Sequence, residues 1–339
     1  MQKNGYVINM IDYKIDVIAF LCSIGISLIL GQIIIPLLRK LKAGQNVLHY
    51  VENHAGKAGT TTMGGFIFAL SSVITFFIFS SGERNFSIIS IIVSISFLCV
   101  GFLDDFIKIK SKRNEGLTVR QKLLFQIAIS LLTSIFVFKN GYTLFFVPFL
   151  NEYIDFGIWS GVIVFFVFLA TTNCVNLTDG LDGLAGGVSY VYFILLYLLI
   201  HLQIYTFVNN YVNITEVLNL ATLSITQAGA LIGFLFYNTF SAKVFMGDTG
   251  SLYLGGMIAV ISIFSSNTLF IPFLGIMFVL SGISVIIQVL VYKKTKKRIF
   301  LMAPLHHHFE YKGHSESKIV FVYKMITLII GLACIIGIA

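Results

Sequence analysis

An all-α, polytopic membrane protein is the fold class the sequence predicts, and three features predict it. Of the 339 residues, 57% are hydrophobic and only 11% charged, at a mean hydropathy of +0.91; a soluble domain of that length could not hide so much apolar surface. The apolar runs are long and unbroken rather than alternating, which indicates helices and not a β-barrel. Lys and Arg fall mainly in every second connection, as in chains with a fixed membrane orientation.

A helix crosses the hydrocarbon core with about 20 apolar residues. Only helices and closed barrels satisfy their backbone hydrogen bonds there. Ten spans follow in order: 16–38, 63–80, 86–103, 123–138, 157–173, 185–202, 217–236, 250–266, 268–292 and 318–338. The first is too long for a signal-peptide core and no small-residue cleavage pattern follows it, so it reads as a retained helix. The ninth carries Pro272 near its start and is long enough to continue into the aqueous phase. Connections after odd-numbered spans hold Arg39, Lys40, Lys42 and Lys57, then Lys108, Lys110, Lys112, Arg113, Arg120 and Lys122, then Lys243, then Lys293 to Arg298, Lys312 and Lys318. The other side has Lys3, Lys14, Arg84 and Lys139. The positive-inside rule makes the first set cytoplasmic, with five cytoplasmic loops and both termini outside.

The net charge of +8 is then a cytoplasmic basic face. Its 293–298 cluster reads as a topology signal attracted to anionic lipid. Nucleic acid is not an expected partner, since there is no soluble domain to hold it. Cys22, Cys99, Cys174 and Cys334 form no CxxC and suggest neither a disulfide framework nor a thiolate metal site. Without a fixed-period repeat or a linker, residues 1–339 read as one membrane domain.

The chemistry lies in the cytoplasmic connections. Asp104 and Asp105 sit in "GFLDDF", Asp179 and Asp182 in "NLTDGLDGLA", Asp248 in "FMGDTGSL", the histidines in "PLHHHFE", and Lys57 in "GKAGTTTMGG". Each has a plain reading. The paired acids suit a solvated helix end, and the TDGLDG stretch a glycine turn with Thr178 or Asp179 capping the sixth span. Phe245 suits an interfacial aromatic, and three histidines an incidental or zinc-binding patch. Their convergence on one membrane face is harder to explain that way, because ionisable groups at membrane depth are functional candidates by default. A carrier would place such groups at the midplane on broken helices, whereas here the span centres are almost bare of charge. Hard carboxylate oxygens suit Mg²⁺ or Mn²⁺. The glycines beside helix starts let backbone N–H groups approach phosphate. Metal and phosphate at a membrane surface suggest phosphoryl transfer involving a lipid. Asp248, between Gly247 and Gly250 at a loop-to-helix junction, is the expected direct Mg²⁺ ligand. Asp104 and Asp105 lie about 100° apart on their helix, so one is expected to face the site and the other to brace it.

These stretches resemble the polyprenyl-phosphate N-acetylhexosamine-1-phosphate transferases over essentially the whole chain, and the histidine run resembles the muramoyl-pentapeptide branch. Two positions depart from the family pattern: Thr61 and Ser241 stand where proline is usual. The resemblance implies that the phosphate of undecaprenyl phosphate attacks UDP-MurNAc-pentapeptide, giving lipid I and UMP, with Mg²⁺ as cofactor. It implies a bacterial cell membrane and an active site on the cytoplasmic face; a homodimer stays open. Carried over by motif, Asp104, Asp105, Asp179 and Asp248 are catalytic or metal-site carboxylates. Asn173, Asn176, Asp182, Asn238 and Phe245 line the nucleotide site, with Phe245 stacking on uracil. Lys57, Lys108, His306, His307 and His308 contact phosphate. Direct attack and a covalent aspartyl-phosphate on Asp104 or Asp105 both remain open at this point.

Overall fold

A computed structural model describes residues 10–41, 60–111, 115–207 and 213–338. Lys42, Lys57, Lys112 and Arg113 lie outside the described residues.

Ten long helices occupy the ten expected spans. They are α1 (Met10–Lys40), α2 (Gly65–Phe79), α3 (Asn85–Ser111), α4 (Val119–Lys139), α5 (Ile158–Thr178), α6 (Leu184–Phe207), α7 (Ile214–Asn238), α8 (Gly247–Phe264), α10 (Ile276–Thr295) and α12 (Glu316–Ile336). Among the described residues nine of these are long and apolar enough to cross a membrane; α2, at 15 residues, is shorter. The chain is thus a multi-pass membrane protein.

Three expectations need correction. The ninth span is not one helix. It opens as a 3₁₀ turn (Thr268–Phe270) and the four-residue α9 (Ile271–Leu274), breaks at Gly275, and resumes as α10. Proline is tolerated in a first helical turn, which is where Pro272 stands. At Gly275 a Cβ would come 2.9 Å from Ile271 O. Secondly, the chain is not wholly α-helical. Residues 144–147 (β1) and 152–155 (β2) pair antiparallel, with Phe145 opposite Ile154 and Phe146 opposite Tyr153. The hairpin buries Phe145 and Phe146 completely, stacks Phe146 on Phe270, and is tied down by Phe146 N–H donating to Ser266 O at 2.9 Å. Thirdly, α3 runs past the expected end of its span: Asp104 and Asp105 are in helix, as read from the sequence, but the helix continues to Ser111.

Burial separates centre from rim. In α8, 89% of the apolar window is buried, against 28% in α1, α4 and α10. The central helices meet through small and hydroxyl residues, as they must where lipid offers no hydrophobic drive between helices. Ser23 Oγ donates to Thr226 O and Ser27 Oγ to Ala230 O, each at 2.7 Å. The tight packing brings the ends of α3, α5, α7 and α8 together at one end of the bundle, opposite the hairpin.

Candidate active site

Two glycines permit the closest approach. At Gly101 in α3 a Cβ would sit 2.6 Å from Thr249 N and would collide with the Asp248 carbonyl, so only glycine lets α3 reach the start of α8. Gly247 opens α8 at φ +68°, a region that disfavours any side chain, and its missing Cβ leaves room for Asp105 Oδ2 and Thr62 Oγ1.

The carboxylates then meet. Asp105 Oδ2 accepts from Thr249 N at 2.9 Å and Thr249 Oγ1 at 2.7 Å, satisfying an N–H that the first turn of α8 leaves without an intrahelical acceptor. Asp104 accepts from Leu117 N at 2.7 Å and lies 2.6 Å from Lys108 Nζ. Lys108 Nζ and Lys122 Nζ both donate to Asp248 Oδ2 at 2.9 Å. Asn176 Nδ2 donates to Asp248 Oδ1 at 2.6 Å and to Ser251 Oγ at 2.8 Å. Three carboxyl groups therefore share two ammonium groups and an amide, the kind of pairing that burial of charge requires. One oxygen from each of Asp104, Asp105 and Asp248 falls within 4.8 Å of the others. An all-oxygen set without sulfur or imidazole fits Mg²⁺ or Mn²⁺ and not zinc. Asp104 and Asp105 are 3% and 2% exposed; the Asp248 side chain, at 17%, is the most open of the three. The two neighbours make different contacts: Asp105 bonds the start of α8 while Asp104 pairs with Lys108.

Around this core the other anticipated residues are spread unevenly. Asp179 ends α5 as its C-cap. It does not cap α6, which starts later, at Leu184. Burial, then the charges of Asp248, Asp105 and Asp182, push the Asp179 carboxyl well above its ordinary value. Asp182 accepts from Ala242 N at 3.0 Å; Asn238 accepts from Gly183 N at 3.1 Å and donates to Val244 O at 2.9 Å. Both therefore tie the glycine turn to the 239–246 loop. Asn173 donates to Gln126 Oε1 and to Leu169 O. The half-buried Phe245 is fixed through its backbone: its N–H donates to Thr61 O at 2.7 Å, and its carbonyl accepts from Gly64 N at 2.9 Å. The Thr61 hydroxyl adds a bond to Lys243 O at 3.3 Å, so hydrogen bonding holds this loop where the family usually has a proline. Ser241 is exposed.

The histidine run lies on α11 (Leu305–Tyr311), and its three rings do different things. His306 is fully buried, and a Cβ at Gly180 would collide with its ring and come 3.1 Å from His307 Nε2. His307 pairs with Glu310 at 2.9 Å. His308 Nδ1 accepts from Leu301 N at 3.1 Å. Burial, then the neighbouring His307, lowers the His306 pKa from 6.5 to about 3, so its ring is neutral at physiological pH. The sign of the linkage follows. Below pH 6.5 the unfolded chain binds a proton that the folded chain refuses, so this residue's stability contribution is complete above 6.5 and falls as pH drops towards 3. The melting temperature of His306→Gln should therefore depend less steeply on pH between 6.5 and 4 than that of the wild type. Equal slopes in a thermal-shift series would contradict the assignment.

Lys122, Thr249, Gln126 and Ser251 were not anticipated as site residues. Lys122 carries a legible signal: a cation in the first turn of a helix opposes the helix dipole, so it needs an anion, here Asp248. The other three act through partners distant in sequence and leave no local mark.

The family model of glycosyl transferase family 4 matches residues 86–266, the stretch that holds Asp104, Asp105, Asp179 and Asp248. Among curated proteins, a phospho-N-acetylmuramoyl-pentapeptide-transferase of Clostridium perfringens (strain 13 / Type A) is 44% identical over 94% of this chain and 97% of its own length. Proteins of the same name from Clostridium botulinum (strain Alaska E43 / Type E3) and Staphylococcus carnosus (strain TM300) are each 42% identical, over 94% of this chain and 94% and 97% of their own. The chain belongs to glycosyl transferase family 4, in the family of the phospho-N-acetylmuramoyl-pentapeptide-transferases.

Proposed function

We propose that this chain transfers phospho-N-acetylmuramoyl-pentapeptide from UDP-MurNAc-pentapeptide to undecaprenyl phosphate, releasing UMP and leaving lipid I in a bacterial cell membrane. The observation that carries the reading is the cluster of Asp104, Asp105 and Asp248 with Lys108 and Lys122 at one end of a membrane bundle. Both reacting phosphates are anionic, and their mutual repulsion is the main obstacle to reaction. Asp248, with Asp104 and Asp105 beside it, would hold Mg²⁺, which would supply charge neutralisation at the phosphates. Lys108 and Lys122 act in the same sense through their ammonium groups. Asn176 holds Asp248 in place from its other oxygen. At the end of α5, burial and the neighbouring acids push the Asp179 carboxyl towards its neutral form, which limits the negative charge facing the substrate. The lipid phosphate, with a second pKa of about 6, is mostly dianionic at neutral pH and needs no strong base. Lys57 and the His307 ring are placed by motif as further phosphate contacts.

The loop asymmetry in Lys and Arg supports a cytoplasmic site with both termini outside. The pure protein, incubated with undecaprenyl phosphate, Mg²⁺ and UDP-MurNAc-pentapeptide, should release UMP. Release from UDP-GlcNAc instead would overturn the substrate assignment, and loss of Mg²⁺ to a chelator should stop turnover.

Phe245 belongs to the 239–246 loop, which Asp182 and Asn238 tie to the glycine turn. Base stacking on an aromatic contributes about 1–3 kcal/mol per base, so Phe245→Ala should raise KM for the UDP-sugar by roughly 5- to 150-fold, while Phe245→Trp stays near the wild type. Unchanged kinetics in the Ala variant would leave Phe245 an interfacial aromatic.

A further inference from the structure

The end of α10 is built differently from the other helix ends. Lys293, Lys294, Lys296, Lys297 and Arg298 fall within six residues, and all are exposed. From Thr249 to Phe309 the sequence contains no acidic residue. Lys296 sits over the Tyr292 ring at 5.8 Å, and Arg298 reaches the Leu301 carbonyl at 3.5 Å. Among the described residues, the ammonium groups of Lys293, Lys294 and Lys297 have no partner. The exposed side of α10 leading to this cluster is apolar: Ile283, Ile286, Leu290 and Tyr292 are 43–59% exposed. Just beyond it Ile299 and Leu301 are 53% and 50% exposed. Cations flanked on both sides by exposed apolar groups complement one surface well, the headgroup layer of an anionic bilayer, where phosphate meets the ammonium groups and acyl chain meets the isoleucine and leucine.

The segment 293–301 is also anchored to the site. Gln288 on α10 accepts from Ile299 N and Phe300 N at 3.1 and 3.0 Å and donates to Phe300 O at 3.0 Å. Leu301 N donates to His308 Nδ1 at 3.1 Å, and the Phe300 ring lies 5.6 Å from the His308 ring. His308 belongs to α11, whose His306 and His307 cover Gly180, the neighbour of Asp179. A continuous set of bonded and packed groups thus runs from the basic tip to the glycine turn of the active site.

We propose that residues 293–301 form a docking surface for the headgroups of anionic phospholipid in the surrounding bilayer, and that docking seats α11 against the Asp179 turn. The occupant is bulk anionic phospholipid and not the polyprenyl-phosphate substrate. The basic side chains are exposed, and no residue that holds the carboxylate core belongs to the cluster.

The test compares wild type with Lys293→Gln/Lys294→Gln/Lys297→Gln in lipid nanodiscs. Electron spin resonance of spin-labelled phosphatidylglycerol and phosphatidylcholine reports lipid selectivity independently of any activity. The wild type should prefer the anionic label by at least about twofold, and the triple variant should lose most of that preference. Equal selectivity in the two proteins, or none in the wild type, overturns the docking surface. Turnover is then read in phosphatidylcholine discs with and without phosphatidylglycerol. The wild type should gain kcat with the anionic lipid; the variant should match the wild type in neutral discs and gain little. A variant already slow in neutral discs, with a raised KM for undecaprenyl phosphate, would show that the cluster binds substrate and overturn the assignment to bulk lipid. This second arm rests on the proposed reaction; the spin-label arm does not, so failure of one is distinguishable from failure of the other.

Discussion

Asp248→Asn should abolish turnover, by at least about 10³-fold in kcat, since one change removes the anchor of the charge-neutralising cluster. Asp248 is the only residue of the core bonded to both lysines, and its other oxygen is held by Asn176. An amide at this position keeps the shape but presents an N–H₂ either to two ammonium groups or to the Asn176 amide. In both orientations donor faces donor. The same change removes the most exposed carboxylate of the three, the one best placed to reach a metal, so the residual activity should depend more weakly on Mg²⁺. The uridine site proposed around Phe245 and the 239–246 loop does not include Asp248, so UDP binding measured by calorimetry should partly survive. That retained binding also shows the protein is folded. Turnover within about tenfold of the wild type, with an unaltered Mg²⁺ titration, would remove Asp248 from the centre of the mechanism.

The spans and the acidic motifs were legible because both signals are local. Apolar runs of membrane length report themselves, and a carboxylate in so apolar a chain stands out. What was not legible depended on distant partners. The apolar run stops before Asp104, yet α3 continues to Ser111, and Lys108, one turn on, pairs with Asp104. The hairpin strands have four residues each, too few to show a period, and they are fixed by contact with Phe270 and Ser266. The break at Gly275 looked like one continuous apolar stretch, since hydropathy does not register a backbone kink. The three histidines read as equivalent, but burial of His306, the Glu310 partner of His307 and the Leu301 partner of His308 make them unlike. In the sequence Lys122 is only an orienting charge, because its partner Asp248 lies far along the chain.

Asp104→Asn should lose at least about 10²-fold in kcat with the Mg²⁺ requirement nearly unchanged, and Asp105→Asn should lose less. The two carboxylates face different partners. Asp104 lies against Lys108 at 2.6 Å and accepts from Leu117 N. An asparagine can keep the Leu117 bond only by turning its N–H₂ towards the ammonium group, which leaves Lys108 misplaced. Asp105 accepts from Thr249 N and Oγ1 through a single oxygen, Oδ2, and an amide oxygen still accepts both. Asp105→Ala removes that acceptor from the start of α8 and should lower the melting temperature as well as kcat, with Asn restoring much of each. The same geometry favours one of the two mechanisms left open by the sequence. A nucleophilic carboxylate needs a free oxygen with access to the donor phosphate, and both oxygens of Asp104 are bonded while Asp105 is 2% exposed behind Thr249. Direct attack by the lipid phosphate is therefore the expected route. Enzyme mixed with UDP-MurNAc-pentapeptide and Mg²⁺ but no lipid acceptor should release no stoichiometric burst of UMP, and no radiolabel should remain on the protein after denaturation. One equivalent of UMP, with label recovered on a peptide containing Asp104 or Asp105, would establish the covalent route instead.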